Sequence, residues 1–303
     1  MPIYRWRLDF SLPGLPIAEP AQLDNVRLEP APRDAAGHSQ STGHLVLEFP
    51  EYKRDIAIRE AALAQLEAIA IAGAALGGSV QEPVVHSVRL ENRTELEAAG
   101  IQIPYSFAFV HSFNVIAPSI DTATLDKGYR TFSALPPGIL HLWRRAARWL
   151  WKANAEGDPY DYLLALWIAF NVLYGPHITK GRSEQKAIEA YAAKAFQSNA
   201  TARPLVDSLQ RDDLLALGKS GLSLGRSGQT RIADELDRAL VAPEPDAGEM
   251  VRLVVLTIYA VRCAIVHAGS VLPSRDEEIR LVWASAHVLK ATMMHLLQDL
   301  LAY

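Results

Sequence analysis

The sequence has little of what marks secreted, membrane or metal-binding proteins. Its one cysteine, Cys263, cannot form an internal disulfide, so a reducing, cytoplasmic setting is expected. No set of cysteines and histidines has the spacing of a zinc site, and we expect neither a metal nor a cofactor. Arg5, Arg7 and Asp9 interrupt the apolar core that a signal peptide would need.

Long apolar runs and an excess of one charge are also scarce. The apolar run over residues 161–174 is too short to cross a membrane, and the longer run over residues 250–272 contains Arg252, Arg262 and His267. A central arginine alone costs about 2.5–3.5 kcal/mol on insertion, so a buried helix and no membrane contact are predicted. The net charge of −4 excludes a uniformly basic nucleic-acid coat.

Residues 1–133 are predicted to form an α+β domain in the order β-β-β-α-β-β. Large apolar and polar side chains alternate over residues 4–10, which predicts a half-buried strand. Residues 30–43 are predicted to be a loop, and residues 55–76 a helix that ends at paired glycines. Shorter strand patterns cover residues 26–28, 44–49, 84–90 and 105–116.

Residues 134–303 are predicted to be almost entirely helical. The boundary falls at a Pro-Pro-Gly sequence, Pro136 to Gly138, and this part carries 19 basic and 18 acidic residues. Asp158 is predicted to cap a helix, and capping boxes are predicted to start at Asp246 and Ser274. The predicted helices cover residues 138–154, 159–174, 183–197, 203–217, 228–241, 247–268 and 275–301.

Several cations are candidates for contacting phosphate groups. Three of them share a helix face with Lys152, and Arg226 lies in a glycine-rich loop that fails the phosphate-loop pattern. A solvated helix face and a phosphate-contacting surface both explain such residues, and both interpretations stay open. The candidates are Arg144, Arg145, Arg148, Lys180, Arg182 and Arg226.

The most informative stretch lies over residues 256–269, where Arg262 and His267 interrupt a helix that is otherwise apolar on nearly every face. Such a helix lies at the centre of its bundle, and a guanidinium buried there without a partner is costly. We therefore expect a carboxylate, backbone carbonyls, a subunit interface or an anionic ligand beside Arg262. A structural arginine with a core or capping histidine is the competing interpretation.

This stretch also resembles a known family. The pattern Arg262-x-x-x-x-His267, in the last helix but one, resembles the Arg-x(4–6)-His signature of the HEPN superfamily (higher eukaryotes and prokaryotes nucleotide-binding). Residues 166–175 are similar to the early apolar helix of its Apea-like branch. The resemblance implies an all-α HEPN-like bundle that forms a homodimer. It also implies a metal-independent endoribonuclease that acts on RNA in a toxin or antiphage defence setting, with a regulatory or antitoxin partner.

The resemblance implies that His267 is the acid–base residue and that Arg262 binds phosphate or stabilises the transition state. The RNA 2′-hydroxyl is its own nucleophile, so the expected products are a 2′,3′-cyclic phosphate and a 5′-hydroxyl. Five residues of α-helix turn about 500° and rise about 7.5 Å, so a straight helix does not superpose the two side chains. Either Arg262 wraps round, or the helix unwinds near Gly269, or the residues pair across a dimer.

Two positions depart from the family pattern and leave alternatives open. Cys263 follows Arg262 where the family commonly has Asn, and Asn171 stands where Apea-like relatives often have Glu. Cys263 also shares a helix face with His267, as a Cys–His nucleophilic pair would, although a small buried hydrophobe is the commoner role. The alternative function is a non-catalytic dimerisation or nucleotide-binding module. The first domain is expected to sense a trigger, hold a partner or restrain activity.

Overall fold

The protein divides into two compact units. The first comprises Met1–Leu140 with Leu300–Tyr303, and the second comprises His141–Asp299. The first unit contains an antiparallel sheet and the second is mostly helical, which confirms the predicted fold class at this level. The structure is a computed structural model and describes residues 2–31, 39–53, 55–77, 82–101, 120–156, 158–178, 183–224, 231–268 and 275–302.

The first unit is built on an antiparallel sheet in which β1 pairs with β4 on one side and with β5 on the other. The strands described are β1 (Tyr4–Pro13), β2 (Ala21–Leu23), β3 (Val26–Pro30), β4 (Gln40–Phe49) and β5 (Val84–Leu90), in the order β2-β3-β4-β1-β5. Alternation along β1 is as predicted: Tyr4, Trp6, Leu8 and Phe10 are buried, while the side chains between them are polar and more exposed. The period of two therefore sets which face of the sheet enters the core.

Helices cover the apolar side of this sheet. Helix α1 (Asp55–Ala75) contacts β1, β4, β5 and α3 (Thr122–Ser133), and a short α2 (Arg93–Ala98) follows β5. Helix α3 was not predicted, although Asp121 caps it and its buried residues have helical spacing. The predicted loop over residues 30–43 is wrong at its end, because the backbone from Gln40 onward pairs with β1. The predicted strand over residues 105–116 lies outside the described residues.

The helices predicted for the second half are present, with one division. The predicted helix over residues 203–217 is two helices, because Leu209 and Gln210 have extended backbone. The described helices that lie wholly or mostly in the second unit are α4 (Pro137–Ala155), α5 (Pro159–Tyr174), α6 (Glu184–Ala195), α7 (Asn199–Ser208), α8 (Arg211–Gly218), α9 (Ile232–Val241), α10 (Ala247–Ala268) and α11 (Arg275–Ala302).

The predicted helix starts are partly confirmed. The Asp158 side chain accepts hydrogen bonds from the backbone N–H groups of Tyr160 and Asp161. Asp246 accepts from the N–H of Glu249 at 3.0 Å. The Glu249 carboxylate, however, accepts two hydrogen bonds from Arg252, at 2.7 and 2.6 Å, instead of one from the cap. The capping box proposed at Ser274 lies outside the described residues.

Helix α10 is the central element of the second unit, as its sequence predicts. It contacts α5, α6, α7, α8 and α9, and its middle residues, such as Val255 and Ile258, are fully buried. Among the described helices it is the one long and apolar enough to cross a membrane, but more than half of that stretch is buried inside the protein. The site residues Arg262 and His267 lie at its C-terminal end.

We predict that Gly43→Ala lowers the free energy of unfolding of the first unit by about 1–3 kcal/mol. A Cβ on Gly43 would overlap the backbone oxygen of Arg27 and lie 2.9 Å from Cζ of Phe10, so β3 would have to move. Denaturant unfolding followed by circular dichroism measures the change. The control is Gly138→Ala on α4, where nothing lies within 4 Å of an added Cβ. Equal losses in both variants would contradict the prediction.

Candidate functional site

Helix α10 places Arg262 and His267 at different positions around one regular helix. The helix is regular through Ala268, so His267 has helical backbone, and Gly269, near which unwinding was one of the predicted alternatives, lies outside the described residues. The two residues are about 140° apart around the axis. His267 is exposed, and Arg262 has 23% of its side chain exposed. Both reach solvent, but on different faces of the helix.

The partner of Arg262 is Glu184, the first residue of α6. Arg262 Nη1 lies 3.8 Å from Glu184 Oε2, and the other oxygen, Oε1, accepts a hydrogen bond of 2.6 Å from the hydroxyl of Tyr174. A carboxylate beside Arg262 was one of four expected partners. Glu184 itself was missed, because nothing in its local sequence indicates which distant helix lies against it.

Tyr174 lies at the C-terminal end of α5 and is completely buried. Burial raises the pKa of its hydroxyl, the Glu184 carboxylate raises the pKa further, and the Arg262 charge opposes this. Tyr174 is therefore a protonated donor at neutral pH. Its ring contacts Phe170, with 5.2 Å between ring centroids. The hydroxyl is thus held in a rigid aromatic surrounding and fixes one oxygen of Glu184.

Cys263 belongs to the surroundings of Arg262. Its Sγ lies 3.9 Å from Arg262 Nη1. Burial raises the pKa of Tyr259, and a hydrogen bond with Cys263 raises it further. The Tyr259 ring stacks on Trp167 at 5.7 Å, which fixes α10 against α5. Within the described residues no hydrogen bond joins Cys263 to His267, so the geometry gives no support to a Cys–His nucleophilic pair.

The predicted phosphate-binding cations fall into two groups. Arg145 and Arg148 are exposed on α4, and Arg144 is half-buried on the same helix. Helix α4 contains no Asp or Glu, so its positive charge has no acidic neighbour on the same helix. Lys180, Arg182 and Arg226 lie outside the described residues.

A groove of about 480 Å³ lies between α4 and the C-terminal part of α5. Arg145 and Trp149 line it from α4, and Ile168 and Asn171 line it from α5. The groove is thus lined both by Arg145, one of the predicted phosphate-binding cations, and by Asn171, a position that departs from the pattern of the HEPN-like relatives. The sequence carries no signal for this groove, because it exists only where these two helices pack.

The described residues contain no group of three or more histidine, cysteine or acidic side chains that could hold a metal. His287, on the last helix, lies 3.3 Å from an oxygen of Asp213. His295 Nε2 lies 2.8 Å from the carbonyl oxygen of Thr201. The two histidines therefore have separate partners on different helices.

Comparison with protein-family models, with curated proteins and with solved structures finds no match to this chain. The likeness to the HEPN superfamily therefore rests on the Arg262–His267 motif and on the order of the helices around it.

We predict that Tyr174→Phe lowers the free energy of unfolding by about 1–2 kcal/mol. A hydrogen bond to a charged group is worth about 1.5–3 kcal/mol, and the partial exposure of Glu184 reduces this. The matched control is Tyr162→Phe, because Tyr162 is also buried but its hydroxyl has no hydrogen bond among the described residues. Denaturant unfolding measures both variants. A loss in Tyr162→Phe as large as that in Tyr174→Phe would contradict the prediction.

Proposed function

We propose that the helical unit is a HEPN-type, metal-independent endoribonuclease in which Arg262 and His267 act on the phosphate backbone of RNA. The observation that carries the proposal is that an otherwise apolar helix brings a guanidinium and an imidazole to solvent at one end. His267 is exposed, and Arg262 is partly exposed beside the Glu184 carboxylate. These are the two groups that a cleavage needing no metal requires.

The contacts of Arg262 support a role in phosphate binding. Its nearest carboxylate oxygen is 3.8 Å away, whereas a charge-assisted hydrogen bond measures about 2.7–2.9 Å. Among the described residues, the guanidinium donates to no oxygen, and its hydrogen-bond contact is the sulfur of Cys263. Glu184 therefore orients Arg262 by charge and leaves its N–H groups available to phosphate oxygens.

The chemistry follows from these two groups. His267 takes the proton of the 2′-hydroxyl while that oxygen bonds to the neighbouring phosphorus. The bond from phosphorus to the 5′-oxygen breaks, and a protonated imidazole gives this oxygen its proton. Arg262 neutralises the charge that builds up on the phosphate oxygens. The products are a 2′,3′-cyclic phosphate and a 5′-hydroxyl, and every atom comes from the RNA.

A homodimer is part of the proposal. Within one chain, Arg262 and His267 are separated by about 7.5 Å along the axis of a regular helix. Val266, next to His267, is 48% exposed, and Ile265 is half-buried. Apolar side chains at a solvent-exposed helix end favour contact with a second copy, which would bring His267 of one protomer to Arg262 of the other. The α+β unit would hold a regulatory partner in a defence setting.

The second candidate function is a non-catalytic module in which Arg262 is structural. The Tyr174–Glu184–Arg262 chain favours it, because a partly buried arginine in a folded core needs a carboxylate of this kind. Dimerisation or nucleotide binding would then be the activity of the helical unit, and His267 would have no chemical role. The two functions differ in what the removal of Arg262 does to stability.

We predict that His267→Ala and Arg262→Ala each slow RNA cleavage by at least about 100-fold. The assay follows RNA incubated with purified protein and a metal chelator, with the product ends identified by mass spectrometry. His287→Ala is the control, because His287 is also an exposed histidine, pairs with Asp213 and should leave cleavage unchanged. Cleavage that survives both substitutions at the site would overturn the proposal.

We predict that Arg262→Ala lowers the free energy of unfolding by no more than about 1 kcal/mol, as for other partly exposed ion pairs. A double-mutant cycle with Glu184→Gln isolates the interaction between the two side chains. A coupling free energy above about 2 kcal/mol, together with no cleavage by the parent protein, would favour the structural module over the ribonuclease.

A further inference from the structure

The groove between α4 and α5 combines an aromatic ring, an amide and a cation around an apolar floor. Trp149 and Arg145 come from α4, Asn171 comes from α5, and Leu142, Ile168 and Val172 supply the apolar surface. Ile168 is 38% exposed, which is a large apolar exposure for a central residue of a packed helix. The volume of about 480 Å³ is in the usual range of small-molecule sites, about 300–1,000 Å³.

Within the part of the chain that the structure describes, the Arg145 and Asn171 side chains have no protein partners. Arg145 is exposed and forms no ion pair within the described residues, and the Asn171 amide makes no hydrogen bond there. Gly175 lies beside that amide, and a Cβ at Gly175 would lie 3.5 Å from Asn171 Oδ1. Gly175 and Asn171 thus lie side by side in the lining of the groove. A cation and an amide that the fold does not use are available to a ligand.

The positive charges around the Trp149 ring favour a ligand that carries an anionic group. Lys152 Nζ lies 5.0 Å from the centroid of the Trp149 ring, Arg145 lines the same groove, and α4 carries no acidic residue. A purely apolar ligand would leave Arg145 and Asn171 unsatisfied, and a bare anion would leave the apolar floor and the indole unused. A planar ring attached to a phosphate uses all of these groups at once.

We propose that the α4–α5 groove binds one nucleotide. Its base stacks on Trp149 and meets the Asn171 amide with its hydrogen-bonding edge, and its phosphate pairs with Arg145. Aromatic stacking combined with a cation is how proteins hold single nucleotides and single strands.

A nucleotide in this groove fits the path of an RNA substrate, and this step rests on the proposed function. Asn171 and Tyr174 are three residues apart on α5, about 4.5 Å along its axis. Tyr174 holds Glu184, which in turn lies against Arg262. The last turn of α5 therefore connects the groove, through Tyr174 and Glu184, to the surroundings of Arg262.

The test is isothermal titration calorimetry with the four ribonucleoside 5′-monophosphates, with inorganic phosphate and with an RNA pentanucleotide. The protein carries His267→Ala so that RNA is not cut. Trp149→Leu, Asn171→Ala and Arg145→Gln should each weaken monophosphate binding by about tenfold. Arg211→Gln, which removes an exposed arginine on α8 outside the groove, should change binding less than about twofold. If Trp149→Leu does not fold, the other two groove variants carry the test.

The outcomes separate this inference from the proposed function. Monophosphate binding that needs Trp149 and Asn171 supports the groove even if the parent protein cuts no RNA. Tighter binding of the pentanucleotide than of any monophosphate assigns the groove to an RNA strand, and equal binding assigns it to a free nucleotide. Inorganic phosphate binding as tightly as the monophosphates would overturn the inference. So would monophosphate binding that is absent, or unchanged in all groove variants, even in a protein that cleaves RNA.

Discussion

The need to accommodate a guanidinium on the apolar helix α10 is the constraint on which the candidate site depends. Arg262 follows a stretch of helix whose side chains are almost all buried, so its charge needs both a counter-charge and a route to solvent. Glu184 supplies the counter-charge, and the end of the helix supplies the route. Tyr174 then fixes Glu184 by a 2.6 Å hydrogen bond. Three helices are arranged around one positive charge.

This arrangement holds Arg262 without saturating it. A carboxylate at hydrogen-bond distance would occupy up to two of the five N–H donors of a guanidinium and compete with a phosphate for them. At 3.8 Å, Glu184 attracts Arg262 but does not occupy its donors. The aromatic contact between Trp167 and Tyr259 keeps α5 and α10 in place, so the charge does not depend on Glu184 alone for its position. Such an arginine is pre-organised and still available.

The sequence predicts those parts of the fold that depend on local pattern. The alternation of apolar and polar residues predicted β1. Capping residues and apolar runs predicted the bounds of α5 and α10 to within a residue or two. The predictions were wrong where long-range contacts determine the secondary structure. The residues before His44 look like a loop because of Gly43 and the serines and threonine near it, yet they pair with β1 on one side and β3 on the other. Helix α3 contains Gly128, a poor helix former, because Ala72 packs closely against it.

The same distinction applies to the site. Arg262 and His267 could be selected from the sequence because a charged residue within an apolar helical pattern can be recognised from the sequence alone. Glu184 and the α4–α5 groove could not, because each depends on which helices lie side by side. What joins them is the last turn of α5: Asn171 lines the groove, and Tyr174, three residues later, holds Glu184. A change in how that turn packs would alter the groove and the setting of Arg262 together, which makes it the structural link between the proposed nucleotide groove and the proposed phosphate-binding arginine.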